Sequence, residues 1–113
     1  MQEVDREILL SFWKVHILHH ADEQPIHGHW ITGEFRRHGY EISPGTLYPM
    51  LARLAQRGWL ACKSDRRQGK RARKDYRLTA EGRKVLKLIR EKVKELHEEV
   101  VLEAEHKKGK KYE

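Results

Sequence analysis

Positive charge is concentrated in one short stretch of this sequence. Positions 63 to 74 hold seven lysines and arginines but only one acid, Asp65. Guanidinium and ammonium groups at this density suit phosphate oxygens, because every phosphate that they neutralise releases condensed counterions. The alternative is a solvated charged surface without a ligand. We predict phosphate or minor-groove contacts from six of these residues: Arg66, Arg67, Lys70, Arg71, Arg73 and Lys74.

A short helix is predicted just before this basic stretch. Ser43 stands at an N-cap position, Pro44 can occupy the first helical position, and Gly58 ends the pattern. Its buried side is supplied by Leu47, Met50, Leu51 and Leu54. The outer side and flank can contact base edges or phosphates through Ser43, Thr46, Tyr48, Pro49 and Arg53. Tyr48 could instead pack under the following hairpin, or serve both purposes.

The elements that must position these residues are four helices and one hairpin. The first helix is predicted from about Asp5 to about His19, and the second from about Ile26 to His38. Two strands, 59–64 and 73–78, flank a polar loop at 65–72. Helix, short turn, helix and basic hairpin loop in this order are the parts of a winged helix-turn-helix. We therefore predict a mainly α fold with a small β-hairpin, in which residues 1–78 form the winged helix-turn-helix DNA-binding domain.

The last helix is predicted to carry a different kind of surface. Thr79 caps it, and it extends to about His106, before a disordered tail at 107–113. Its apolar residues step by three and four, which is the spacing of a coiled-coil seam. The first helix is apolar almost all round, so it needs cover beyond its own core. We predict a homodimer, with 79–106 as the dimerisation helix and an interface containing Leu9, Phe12, Trp13, Leu86, Ile89, Val93, Leu96 and Val100.

Two groups of residues resemble the motifs of the PadR family of transcriptional regulators. The recognition-helix motif is matched by Gly45-Thr46-Leu47-Tyr48-Pro49, Leu51, Arg53-Leu54 and Gly58. The wing and the entry to the last helix are matched by Gly69, Tyr76-Arg77-Leu78-Thr79, Glu81-Gly82 and Leu86. His27-Gly28-His29 occupies the place of an aromatic–Gly–aromatic sequence. The resemblance covers about Ile8 to Leu96.

The resemblance implies a mode of action as well as a fold. The length is similar to that of the small PadR subgroup, which has a single C-terminal helix. Membership implies a homodimer formed through the first and last helices, which represses a promoter palindrome until a small ligand or a stress signal releases it. Some small members bind planar aromatic compounds near the dimer interface, so Trp13 is a candidate effector contact. Asp75 and the proline-free sequence at 70–73 depart from the family pattern and predict a more mobile, more basic wing tip.

Composition excludes several classes of protein. A chain of 113 residues is a single small domain, and a net charge of +7 favours a polyanionic partner over a membrane. The single Cys62 provides neither a disulfide framework nor a cysteine-built zinc site, which predicts a cytoplasmic protein. We find no arrangement typical of nucleophilic catalysis and no phosphate-cradling glycine loop, so we predict that the protein is not an enzyme.

The eight histidines leave one alternative open. His16 and His20 are four residues apart, a spacing that lets two imidazoles meet one metal ion, but no cysteine or carboxylate was identified at a complementary spacing. Surface histidines without a metal are commoner, so we assign no metal and no cofactor. The predicted function is a sequence-specific, DNA-binding transcriptional regulator. A metal-responsive regulator and a winged-helix module for protein–protein assembly remain the alternatives.

Overall fold

The computed structural model describes residues 3–64 and 73–111, with side chains at 5–64 and 73–107. The elements follow the chain as α1 (Glu3–Glu23), α2 (Gly28–Arg37), α3 (Pro44–Gln56), β1 (Leu60–Ser64), β2 (Lys74–Leu78), α4 (Ala80–His97), a π-helical segment (Glu98–Glu103) and α5 (Ala104–Lys111). The two strands form one antiparallel hairpin. The predicted fold class is thereby confirmed.

The connection between α1 and α2 differs from the prediction. α1 continues to Glu23 rather than to about His19, and stops just before the residue that precedes Pro25, where helical backbone is disfavoured. α2 begins at Gly28 rather than at Ile26. Ile26 instead forms a β-bridge with Tyr76, with backbone hydrogen bonds of 2.8 and 2.7 Å. Ile26, which the helical pattern assigns to α2, therefore pairs with the hairpin instead.

The core lies where the first three helices and the start of α4 meet the hairpin. Its most completely buried side chains are Phe35, Ile17, Leu18, Ile26, Ile31, Leu47, Met50, Leu51 and Leu86. All four apolar residues predicted for the inner side of α3 are buried. Burial of a side chain of this size contributes about 1.5–3 kcal/mol, so the orientation of α3 about its own axis is strongly determined.

The hairpin joins α3 to α4. Leu60 pairs with Leu78 and Ser64 with Lys74 in the antiparallel register. Tyr76 and Leu78 are buried while Arg77 between them is exposed, as the predicted alternation requires. Burial, followed by the neighbouring Cys62 and Tyr48, raises the pKa of Tyr76 to about 12. Tyr76 is thus a packing residue that ties the hairpin to the α1–α2 connection.

α4 is held against the end of α3 by two residues. The Thr79 hydroxyl donates to the carbonyl oxygen of Gly58 at 2.6 Å and accepts from the backbone N–H of Gly82 at 2.9 Å, so the predicted N-cap is confirmed. A Cβ at Gly82 would lie 2.7 Å from Leu78 Cδ1 and would collide with the backbone carbonyl of Trp59. Only glycine permits this close approach of helix and turn.

Beyond the core, the C-terminal helices form an exposed arm. Every residue from Glu91 to Lys107 is exposed. The radius of gyration is 17.2 Å, compared with about 13 Å for a compact domain of roughly this length. The helix continues to Lys111, past position 107 where the disordered tail was predicted to begin, because lysine is a good helix former. Within residues 3–64 and 73–111, no helix has the length and apolar content needed to cross a membrane.

Candidate DNA-binding surface

α3 presents the polar face that was predicted from its sequence. Ser43, Tyr48, Pro49 and Arg53 are exposed, and Thr46 is half-buried. The first turn of α3 contains no acid, so its backbone N–H groups and the positive end of the helix dipole are not neutralised from within the turn. This end of α3 therefore has the electrostatic character of an anion site.

The hydroxyls at the start of α3 are arranged differently from the prediction. Ser43 occupies the N-cap position, but its side chain makes no capping hydrogen bond. Its Oγ instead donates to Thr46 Oγ1 at 3.2 Å, and the guanidinium of Arg6 donates to the same Thr46 oxygen at 3.0 Å. Thr46 is half-buried because it lies between these partners. Arg6 was not identified from the sequence, because forty residues separate it from Thr46.

Tyr48 packs against the start of α2 and still contributes to the exposed polar face of α3. Half of its surface is exposed, at 51%, yet its ring covers Gly28 at the start of α2. A Cβ at Gly28 would lie 2.8 Å from the Tyr48 hydroxyl oxygen. Gly28 therefore lets the two helices of the helix-turn-helix approach each other closely, and Tyr48 is held in place on the polar face.

The basic hairpin lies next to α3 along the chain and contacts it through β1. Lys74 and Arg73 are both exposed, and Arg73 Nε forms an ion pair with Asp75 Oδ1 at 3.2 Å. Asp75, the acid that departs from the family pattern, thus partly neutralises one of the predicted phosphate contacts. The other four predicted wing residues, Arg66, Arg67, Lys70 and Arg71, lie outside the described residues.

The predicted dimer-interface residues fall into two groups. Phe12, Val93, Leu96 and Val100 are 48–58% exposed, and Leu9 and Ile89 are half-buried. Trp13 and Leu86 are 3% and 1% exposed, so both belong to the core of the chain itself and the interface assignment is corrected for them. Helical periodicity could not distinguish core residues from interface residues in α1 and α4. Both helices place apolar residues in the core of this chain and also on its surface. Ile8 and Leu88, which were not predicted, are 49% and 61% exposed.

An apolar groove runs between α1 and α4. Its volume is about 620 Å³. Its walls are formed by Phe12, Val15, Leu86, Ile89, Val93 and Leu96, with His16, His19, Arg90, Lys94 and His97 at its polar positions. Trp13, the candidate effector contact, is not among these residues. Its ring packs against Phe35 and Tyr40 at centroid distances of 6.3 and 6.0 Å.

Several histidines have structural partners. His27 caps α2, and its Nδ1 accepts from the Trp30 N–H at 3.3 Å. His16 lies against Phe35 and His38, at ring distances of 5.7 and 5.3 Å. The conclusion that no carboxylate has a complementary spacing is wrong, because Glu23 lies three residues after His20 and contacts it at 2.9 Å.

Exposed helix α3, an adjoining basic hairpin and a projecting helical arm together define a winged helix-turn-helix DNA-binding protein. The sequence profile of the Transcriptional regulator PadR-like family matches residues 17–88. The chain belongs to this family. Its members are DNA-binding transcriptional regulators, which are not enzymes.

Individual relatives agree with this assignment. The chain is 44% identical over 104 residues to Transcriptional regulator Rv3488 of Mycobacterium tuberculosis, covering 92% of this chain and 96% of that protein. The crystal structure of a PadR-like transcription factor from Bacteroides fragilis has a TM-score of 0.75 at 25% identity, over 88% of this chain and 96% of that one. A PadR family regulator from Eggerthella lenta has a TM-score of 0.70 at 28% identity, over 87% and 89%.

Proposed function

We propose that this protein is a homodimeric repressor that binds a palindromic DNA operator through α3 and the wing. The observation that carries the proposal is the separation of two surfaces on one chain. Polar and basic residues occupy α3 and the hairpin, while exposed apolar residues occupy α1 and the helical arm. In this division the DNA-binding surface lies within residues 1–78, on α3 and the hairpin, and the partner subunit is bound by residues 79–106 together with α1.

The DNA contacts follow from the geometry of α3. A helix of 13 residues with one buried side can lie in the major groove with its exposed side against the bases. Arg53, exposed on this side, is the proposed base or phosphate contact, and Thr46 with Ser43 contacts the backbone or a thymine methyl. Tyr48 and Pro49 complete the surface. Phosphates beside the major groove are contacted by the basic residues of the hairpin, which are Lys74, Arg73 and the cluster at 66–71.

Dimerisation is supported by the apolar surface that the single chain leaves uncovered. Phe12, Val93 and Leu96 are each about half exposed along the groove between α1 and α4. A continuous apolar surface of this kind is costly for a monomer in water. A twofold axis would place the same surface of each subunit against the other, and would set two α3 helices at a fixed separation.

Release by a small ligand is supported by the size of the groove. A volume of about 620 Å³ falls within the range of small-molecule pockets, roughly 300–1,000 Å³. A ligand there would contact Phe12, Ile89 and Val93 rather than Trp13, which is covered by the core. Binding between α1 and α4 would alter the separation of the two DNA-reading helices. Because a repressor acts on the chromosome, we also propose that the protein is cytoplasmic.

The decisive experiment compares specific and random DNA. Footprinting on the DNA upstream of the protein's own gene should show two protected half-sites about 10 bp apart, or a multiple of that spacing. Arg53→Ala should weaken binding to this site by about 1–3 kcal/mol more than binding to random duplex, if Arg53 contacts a base in a bidentate manner.

Three other outcomes have distinct meanings. Equal losses on both DNAs would reassign Arg53 to a phosphate. Uniform protection without a palindrome would indicate a general DNA-coating protein. No binding to any duplex at low salt would favour the protein–protein assembly module and contradict the proposal.

A further inference from the structure

Three potential metal ligands lie together in the last turn of α1. His19, His20 and Glu23 each offer one ligand atom, and these three atoms all lie within 4.8 Å of one another. His20 Nδ1 is 2.9 Å from Glu23 Oε1, and His19 Nε2 is 3.6 Å from the same oxygen. The helix brings them together because Glu23 lies three and four residues after the two histidines.

The spacing of these atoms suits a tetrahedral zinc ion. Zinc binds imidazole nitrogen and carboxylate oxygen at about 2.0–2.2 Å, so neighbouring ligand atoms in a tetrahedron stand about 3.3 Å apart. The two histidine–carboxylate separations, 2.9 and 3.6 Å, lie on either side of this value, and the three ligand atoms lie within 4.8 Å of one another. Two imidazoles and one carboxylate leave at least one position open for water or another ligand.

A carboxylate lies near the outer nitrogen of His20. While its Nδ1 faces Glu23, its Nε2 faces the carboxylate of Glu34 on α2 at 4.0 Å. A carboxylate that hydrogen-bonds to the outer nitrogen orients a metal-binding imidazole, and Glu34 is placed to make this bond once the 4.0 Å separation closes on metal binding. Glu34 is itself held in place by Arg37 and His38, at 3.2 and 3.4 Å. The neighbouring helix α2 thus supplies a carboxylate on the side of the His20 ring that faces away from Glu23.

Arg90 on α4 opposes ligation by His19. Its Nη2 lies 3.2 Å from His19 Nδ1. A guanidinium can only donate, so this contact requires an acceptor lone pair on Nδ1 and leaves the proton of a neutral ring on Nε2, the nitrogen that faces Glu23. Arg90 has a second acceptor available, because Asp22 Oδ2 lies 3.8 Å away.

We propose that His19, His20 and Glu23 form a zinc-class binding site whose affinity is controlled by Arg90. Binding through His19 Nε2 moves the ring proton to Nδ1 by way of solvent, and Arg90 then shifts fully to Asp22. The metal ion thus replaces the Arg90–His19 contact, while Arg90 keeps α4 in contact with α1 through Asp22. The proposal does not depend on DNA binding.

Titration of the full-length chain with Zn²⁺ by calorimetry, and with Co²⁺ by visible absorption, tests the site. We expect one equivalent per chain. Glu23→Gln and His20→Ala should each lower the affinity at least tenfold, and Glu34→Gln about tenfold, as is usual for an outer partner. Glu23 is exposed, so Glu23→Gln keeps the test valid if His20→Ala fails to fold. His29→Ala, an exposed histidine on α2, is the matched control and should bind normally.

A second pair of variants tests the role of Arg90. Arg90→Gln should tighten binding, because it frees His19 Nδ1. Arg83→Gln should not, although Arg83 contacts the same Asp22 carboxylate at 3.2 Å, because it does not contact His19. Unchanged zinc affinity in Glu23→Gln would overturn the proposal. If, in addition, His16→Ala lost binding, the metal would be assigned to His16 and His20 instead. Weak binding of several zinc ions per chain, reduced by removal of any histidine, would indicate adventitious surface binding and would also overturn the proposal.

Discussion

Ser43 and Thr79 occupy the same position in two helices but use their hydroxyls differently. Thr79 caps α4 by accepting from the Gly82 N–H. Ser43 precedes α3, where Pro44 removes one N–H, and its hydroxyl is directed to Thr46 instead. The N-terminal N–H groups of α3 are therefore not capped by the Ser43 side chain, which suits a helix end that meets a phosphate.

Alanine substitution should separate these two roles. Thr79→Ala should lower the free energy of unfolding by about 1 kcal/mol, because it removes both the cap and the hydrogen bond to Gly58. Ser43→Ala should change it less, since it removes no cap, but should weaken operator binding. Chemical denaturation and a gel-shift assay measure the two effects. A larger loss of stability in Ser43→Ala than in Thr79→Ala would contradict this assignment.

The position of His16 predicts a pH-dependent stability. Burial, followed by the positive charges of His38, His20 and His19, lowers the pKa of His16 below 6.5, although Glu34 acts in the opposite direction. The unfolded chain therefore takes up this proton at higher pH than the folded chain does. Linkage then requires that the contribution of His16 is present above pH 6.5 and is lost as the pH falls through 6.5 toward the lowered value.

Unfolding measured between pH 7.5 and 5 should show this loss. His16→Gln should have a shallower decline than the parent protein, because it removes the titrating group while keeping a polar side chain. His29→Gln, at an exposed position, is the matched control and should keep the parent's decline. An unchanged slope in His16→Gln would assign the pH dependence to other groups.

At the scale of elements, the hairpin and the helical arm are the parts that we propose to contact DNA and the partner subunit. β1 contacts α3 and pairs with β2, while the helical arm is exposed throughout its described side chains. The π-helical segment widens the turns between Glu98 and Glu103, so the seam predicted from Leu86 to Val100 does not continue in register into α5. Val100, Val101 and Leu102, which lie within this segment, are exposed.

Removing charge from the wing tests its role in DNA binding. A variant with four wing charges replaced by glutamine should bind all DNA sequences more weakly and to the same extent. The four residues are Arg66, Arg67, Lys70 and Arg71. The slope of log K against log[salt] should flatten by about 0.9 for each phosphate that the variant no longer neutralises. The control removes the same number of charges from the helical arm and the start of α4, at Lys84, Lys87, Lys92 and Lys107, and should leave the slope nearly unchanged. If both variants had the same slope, only the net charge of the protein would matter.

At the scale of the whole molecule, the chain is elongated, with extents of 67 × 32 × 21 Å. The core occupies one end, and the helical arm carries half-exposed apolar side chains away from it. A second subunit that covers this arm and the groove beside α1 would convert an open shape into a compact one. Operator binding and folding stability would then both depend on protein concentration.

A pair of acids in the arm should break such a dimer. Val93→Glu with Leu96→Glu places two charges in the proposed apolar interface, where their desolvation is costly. Light scattering should give a dimer for the parent protein and a monomer for this variant, and operator affinity should fall. Lys87→Glu, on a different face of α4, should remain dimeric. A parent protein that is monomeric at micromolar concentration would refute the proposed assembly.

The sequence by itself determined the order of elements, the inner side of α3, the alternation in β2 and the cap at Thr79. Each of these depends on neighbours within a few residues, and local periodicity or turn chemistry is sufficient for them. The polar face of α3 could be predicted in the same way. It consists of the residues that stay outside when the buried side is formed by Leu47, Met50, Leu51 and Leu54.

Only the tertiary structure decided which apolar residues of α1 and α4 belong to the core and which stay exposed. Trp13 and Phe12 are adjacent in sequence, yet packing against Phe35 and Tyr40 buries one while the other lines the groove. The contacts of Arg6 with Thr46, and of Arg90 with His19, join residues 40 and 71 positions apart. No periodicity encodes such pairs, because they arise only when separate helices pack against each other.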